Sequence, residues 1–280
     1  MKRFIKKASA CIGNLLPSHI NMATCVALGG GGNHLSSYSK GFTLAEGTTC
    51  VATLEDNRLS SCSKAFTLAE VLVTLGIIGV VSAMTVPSLM QNHQKKTYVT
   101  QMHKFYNELQ QAAQQYMTDK NAVNLREAGL TSNEALQDFV KTYFKVVNDC
   151  GSTYTPCLAA SYRKLSGKVI GAGTGQPAFV TIASGASFGY GISSSGTTDN
   201  SRVAIFDVDI NGQKGPNIAG RDVFIIGLFN NGLVDEYALT TAPGDKDKRE
   251  ELFSTTCNAD NATWHGCFGK LLNDNWEMNY

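Results

Sequence analysis

Charge is scarce in this sequence. Only 17% of its 280 residues are Asp, Glu, Lys or Arg, and they nearly cancel, to a net charge of +1. The 43% hydrophobic content suits one globular domain with additional segments. What charge there is divides unevenly. Residues 1–65 hold seven Lys and Arg against three Asp and Glu, whereas the remainder holds 17 against 20. A mildly acidic remainder argues against a strongly electrostatic nucleic-acid binder. Catalytic signatures are missing as well: no GxSxG, HExxH or Walker loop occurs. The glycines of the GAGTG run (Gly171, Gly173, Gly175) lack the following Lys-Ser/Thr of a phosphate loop. His93 and His103 stand ten residues apart, too far to share a ligand, and His265 adjoins Cys267. Nothing here marks an enzyme. Also absent is any CxxC pair, which weighs against a four-cysteine zinc site built from Cys150, Cys157, Cys257 and Cys267. Those four permit three disulfide pairings. The local pairs, Cys150–Cys157 and Cys257–Cys267, each close a short loop and are the expected ones, in an oxidising compartment. Cys11, Cys25, Cys50 and Cys62 form a separate group near the N-terminus.

Against this thin background stands KAFTLAEVLVTLGIIGVVSAMTVPSLM, residues 64–90. Between Lys64 and Lys95, Glu70 is the only charged residue. About 20 apolar residues at helical rise span a hydrocarbon core of about 30 Å. A carboxylate within such a segment is costly and by default signals function with a specific partner. A cut between Ala65 and Phe66 would supply that partner as a new amino group, four residues before Glu70. The stretch resembles the N-terminus of type IV prepilins and of type II secretion pseudopilins. Lys64 precedes the cut, Phe66 becomes the first residue, Glu70 the fifth, and Gly76, Gly79 and Pro87 punctuate the apolar run. The resemblance implies cleavage by a membrane-embedded prepilin peptidase and N-methylation of Phe66. It also implies assembly with other pilin-like subunits through Phe66, Glu70, Gly79 and Pro87, with the 79–87 segment able to loosen. It places the precursor as a single pass in the inner membrane, with its globular part in the periplasm or at the cell surface. Ala65 departs from the glycine usual before the cut. An upstream copy, LSSYSKGFTLAE (35–46), differs from LSSCSKAFTLAE (59–70) only at Tyr38/Cys62 and Gly41/Ala65. It runs into a polar segment unable to cross a membrane, and is read as a duplicated leader remnant. A translation start nearer Lys64 is the other account of so long a leader.

The apolar helix is expected to begin near Phe66 and continue to about residue 118, kinked at Pro87. Beyond the membrane, Tyr98, Met102, Phe105, Leu109, Ala112, Ala113 and Tyr116 keep helical spacing on one face. A second helix is expected at 133–147, with Thr131 and Glu134 as a capping box and Leu136, Phe139, Val140, Tyr143, Phe144 and Val147 as its buried stripe. Residues 148–178 read as loop. Strands follow at 179–183, 187–192, 203–209, 222–229 and 233–239, the last two joined by a turn at Asn230-Asn231-Gly232. Helix first and strands after imply α+β: a long N-terminal helix, half transmembrane and half amphipathic, packed on a small antiparallel sheet. The expected divisions are a removed, disordered leader at 1–65, a membrane helix at 66–90, its amphipathic continuation at 91–118 and a pilin-like domain at 119–280. The segments 206–224 and 267–280 look like parts of pseudopilin-like proteins.

Three further readings compete. Asp207-Val208-Asp209-Ile210-Asn211-Gly212 begins like a calcium loop, but Ile218 stands where the bidentate Glu belongs. The resemblance implies calcium in a C-terminal loop, which makes Asp207, Asp209, Asn211 and Asp222 candidate ligands. The alternative is an Asx-rich turn. Val81-Ser82-Ala83 would suit an ordinary signal peptidase, leaving a secreted domain that starts at Met84. Trp264, Trp276 and Tyr280 are expected to pack the tail against the sheet. The function that follows is a structural filament subunit. The alternatives are a minor tip pilin that binds DNA, a surface or a secreted substrate, and a plain secreted or membrane-tethered domain. No nucleic-acid partner is expected.

Overall fold

The computed structural model describes residues 67–171 and 175–280. They fall into two units divided between Val81 and Ser82. The cut at Lys64-Ala65-Phe66, the upstream copy, Cys11, Cys25, Cys50, Cys62 and Gly173 lie outside the described residues.

The first helix, α1 (Leu68–Asp119), continues through Pro87. Its start is fixed by a capping box in TLAE. The Glu70 amide donates to Thr67 Oγ1 at 3.2 Å, and the Thr67 amide donates to Glu70 Oε2 at 2.9 Å. From Leu68 to Met90 its large apolar side chains are exposed; Leu72 is at 60% and Leu89 at 71%. From Val99 onward a stripe at helical spacing is buried: Val99, Met102, Phe105, Leu109, Ala112, Ala113, Tyr116 and Met117.

Within the second unit, α2 (Asn133–Tyr143) follows a loop. Its N-cap is Ser132, not Thr131: the Ser132 side chain accepts from the Ala135 amide at 3.2 Å. The helix also ends earlier than its apolar spacing implies. Phe144 turns extended, and Val147, expected on the buried stripe, lies 60% exposed on the strand β1 (Val146–Gly151). The supposed loop at 148–178 thus contains most of β1 and a small hairpin, β2 (Tyr162–Arg163) with β3 (Val169–Ile170). The remaining strands are β4 (Ala178–Ile182), β5 (Ser187–Ile192), β6 (Arg202–Asp209), β7 (Val223–Phe229) and β8 (Val234–Glu236). With β1 they form a six-stranded antiparallel sheet in the order β1-β4-β5-β6-β7-β8. The Asn230-Asn231-Gly232 turn links β7 to β8, with Gly232 at φ +81°.

Strand alternation assigns the two faces. Val180, Phe188, Tyr190, Phe206, Val208, Phe224 and Ile226 join the α1 stripe and the α2 side chains Leu136, Phe139 and Val140 in the main core. Phe105 meets Phe188 edge to face with centroids 5.1 Å apart. The opposite face is covered by loop. There Phe179 packs with Cys157, Leu158, Tyr162, Ala219 and Val223. A Cβ at Gly189 would lie 2.6 Å from the Phe179 ring, so β5 admits only glycine where that cover approaches.

The tail holds helices that its composition does not advertise: α3 (Lys246–Leu252), a π-helical turn (Phe253–Cys257) and α4 (Cys267–Asn273). As expected it packs on the sheet, α4 lying against β7 and β8, and it also reaches α1. Trp276 stacks on His103 of α1 at 4.1 Å and meets Tyr106 edge-on. Lys95 Nζ donates to the Tyr280 carbonyl at 2.7 Å, and the Tyr280 ring leans on Phe253. Trp264 packs against the cluster around Phe179 on the loop-covered face.

Candidate functional site

Glu70 sits in the first turn of α1 with an exposed side chain. Its carboxylate accepts from the Thr67 amide and, at 3.1 Å, from the Thr67 hydroxyl. The helix therefore supplies donors for the carboxylate one residue away from the position where cleavage would expose an amine. Gly76 and Gly79 have open space where a Cβ would stand. The helix is long and apolar enough to cross a membrane, and its most apolar window is not buried at all. Thr67 is the residue the sequence reading passed over, although the T-x-x-E spacing of a capping box was visible there.

The expected calcium ligands lie in the second unit, on β6 and the loop to β7. Asp207 and Asp209 project from the loop-covered face of β6. Asp207 accepts from Gln176 Nε2 at 2.9 Å. Asp209 accepts from the Tyr162 hydroxyl at 2.8 Å and from the Asn211 amide at 3.2 Å. Asp222 accepts from the amides of Asn217 and Ile218, both at 2.7 Å. Burial pushes Asp207 and Asp209 up to about 7, and proximity to Asp222 adds to the rise at Asp209. Burial raises Asp222 too, against the pull of its backbone donors. The oxygens left without partners in this loop are Asp207 Oδ1, Asn211 Oδ1 and Asn217 Oδ1. As placed, both oxygens of Asp222 and Oδ1 of Asp209 accept from the loop's own amides, as in an Asx-rich turn, and Asp209 Oδ2 accepts from Tyr162 on β2. Among the described residues no group of three or more His, Cys, Asp or Glu is arranged to hold a metal ion.

Both local cysteine pairs are bonded, Cys150–Cys157 and Cys257–Cys267, so these cysteines make no zinc site. Two clusters near the second disulfide had no sequence signal. Glu236, fully buried at the edge strand, accepts from the Gly266 amide at 2.8 Å and the Gly269 amide at 2.9 Å, which fixes the start of α4. Burial pushes it up to about 7, while those amides oppose the rise. The neighbouring Asp235 forms a two-point ion pair with Arg249 on α3, at 2.9 and 2.5 Å. The second cluster is built around Lys164, 1% exposed and ringed by backbone carbonyls. These groups tie segments together. Each buried acid faces N–H or O–H donors and the lysine faces acceptors, an arrangement of fasteners and not of nucleophile and base.

A family model described as the prokaryotic N-terminal methylation motif matches residues 60–86, which takes in Glu70, Gly76 and Gly79 and stops one residue short of Pro87. No curated protein and no solved structure matches the chain. Placed on a capped apolar helix and followed by an antiparallel sheet, residues 60–86 give this chain the N-terminal signature of type IV pilins and pseudopilins.

Proposed function

We propose that the chain is a filament subunit. It is cut between Ala65 and Phe66 by a prepilin peptidase, methylated on the Phe66 amine, and assembled through the 66–90 segment with copies of itself or with related subunits. The setting is a type II secretion or type IV pilus machine, with the second unit outside the inner membrane. One observation carries the reading: Glu70, within the matched motif, is the only charge in an exposed apolar helical surface from Leu68 to Met90.

Apolar helices gain little from one another in lipid, so close packing and polar contacts must supply specificity. A carboxylate at the head of such a helix is best matched by a neighbour's new amine, since two unpaired charges in lipid cost more than one pair. Before assembly the Thr67 donors hold the Glu70 carboxylate, so the precursor avoids a bare charge. Gly76 and Gly79 leave room on the helix for a neighbour to approach closely. Ala65, bulkier than glycine, slows the cut without preventing it.

Glu70→Ala tests the reading. Cleavage is expected to proceed as in the wild type while filament assembly is lost. Normal filaments, or normal secretion, from the Glu70→Ala protein would refute the pairing role.

A further inference from the structure

Lys164 directly follows β2, and its backbone is held on both sides. Its amide donates to the Lys168 carbonyl at 2.8 Å, and its carbonyl accepts from the Gly167 amide at 2.9 Å. The preceding Arg163 is pinned to the loop before β7, through Asn217 O at 2.9 Å and the Ala219 amide at 2.8 Å. The lysine side chain therefore leaves a fixed point. Its Nζ ends among five oxygens of one segment: Thr256 O at 2.7 Å, Ala259 O at 2.7 Å, Thr263 O at 2.5 Å, Asn261 Oδ1 at 2.9 Å and Asn261 O at 3.2 Å. Among the described residues no carboxylate lies within ion-pair distance of it; the nearby Asp260 pairs loosely with Lys168 at 4.0 Å.

Four carbonyls aimed at one point repel each other unless a cation sits there. A ring of carbonyl oxygens in place of a hydration shell is how proteins hold bare cations. Four of the five distances, from 2.7 to 3.2 Å, are those of hydrogen bonds from nitrogen and exceed the 2.3–2.6 Å of calcium to oxygen. A compact ammonium, with three donors that rotate to suit, fits such a ring; a planar guanidinium does not. The ring is also prepared by its own bonds. Asn261 Oδ1 accepts from the Thr263 hydroxyl at 2.7 Å, Asn261 Nδ2 donates to Thr255 O at 2.8 Å, and the Cys257–Cys267 disulfide closes most of the loop.

We propose that residues 256–263 form a binding site for a primary ammonium ion, and that its resident ligand is the chain's own Lys164. The lysine then does for this disulfide loop what a bound ion does elsewhere: it neutralises converging carbonyls and fastens the loop to the β2–β3 hairpin. The loop that pins Arg163 is itself held by Asp222, whose carboxyl accepts from the Asn217 and Ile218 amides.

The test uses the full chain in detergent. Lys164→Ala removes Cγ through Nζ, the atoms of n-propylammonium. The variant is expected to melt about 5–10 °C below the wild type and to lose amide protection at 256–263. Added n-propylammonium is expected to raise its midpoint in a concentration-dependent way, as a ligand of the folded state does. It should leave the wild type unmoved, and tetramethylammonium at equal ionic strength should do nothing to either. A midpoint equal to that of the wild type, or no gain specific to propylammonium, would overturn the proposal. If Lys164→Ala does not fold, Lys164→Met keeps the stem and removes the charge. Loss of protection confined to 256–263 in that variant supports the cage, and unchanged protection there refutes it.

Discussion

Glu70 has two partners in this account, one for each stage of the subunit's life. In the isolated helix it closes a capping box with Thr67; the proposed filament would give it an amine. Thr67→Ala should therefore loosen the first turn of α1 by about 0.5–2 kcal/mol, seen as faster amide exchange at 68–71. Unchanged exchange would contradict the capping role. The lone charge in an apolar run made Glu70 stand out in the sequence, and the same isolation drew attention away from its bond to Thr67. The buried acids give a second consequence. Asp207, Asp209 and Glu236 are pushed by burial from ordinary values of 3.8 and 4.5 up to about 7. Each binds its proton more tightly folded than unfolded. The stability tied to them is complete below those ordinary values and is lost as pH rises through about 7. The melting temperature of the second unit should fall between about pH 4 and pH 7, and Asp207→Asn should flatten the fall; a midpoint that climbs over that range would contradict it. Because the carboxylate oxygens of Asp209 and Asp222 are already engaged, chelator is expected to leave the midpoint unmoved. A clear drop on chelation would support calcium in the 207–222 loop instead. Lys164 was beyond reach from sequence, since its partners are carbonyls some 92 to 99 residues away and a carbonyl carries no residue signature.

Elements with strong periodicity were legible, and those defined by context were not. Seven positions of the α1 stripe were readable from spacing. Six are buried and Tyr98 packs against the core from its margin. Leu109, fully buried among them, is a direct probe: Leu109→Ala should cost about 2–5 kcal/mol by denaturant unfolding. A loss below about 1 kcal/mol would show that α1 is not part of this core. The central strands β4 to β7 were found within a residue or so because both of their faces are covered and they read as apolar runs. The β1 strand was missed because it is an edge, mostly exposed, with irregular pairing to β4 and polar residues at Asn148 and Asp149. Helix α2 was drawn too long because apolar spacing persists through Phe144 and Val147 while the backbone has already become extended. Helix α4 has only seven residues and is preceded by the N-cap Gly266, whose φ is +91°. A Cβ there would stand 2.4 Å from the Leu252 carbonyl oxygen. Gly266→Ala should cost at least about 1–3 kcal/mol, with the loss of protection centred on α4; a neutral effect on melting would contradict that placement.

At the scale of the whole molecule, the two units carry different parts of the account. The described residues up to Val81 hold Glu70, most of the matched motif and a run of exposed apolar side chains that fits a membrane anchor. The second unit carries a six-stranded sheet, two disulfides and buried ions that fasten its loops. The α+β plan was legible in the sequence because a long helix precedes every strand. The loop fasteners were not, because they depend on which turns meet in space. The central claim is that the chain becomes a filament subunit only after it is cut ahead of Phe66. Mass spectrometry of the native protein, read together with its N-terminal sequence, tests this most directly. The account expects a chain that begins at Phe66 with a methylated amine. A mature protein that still carries residues 1–65, or one that begins at Met84, would contradict it.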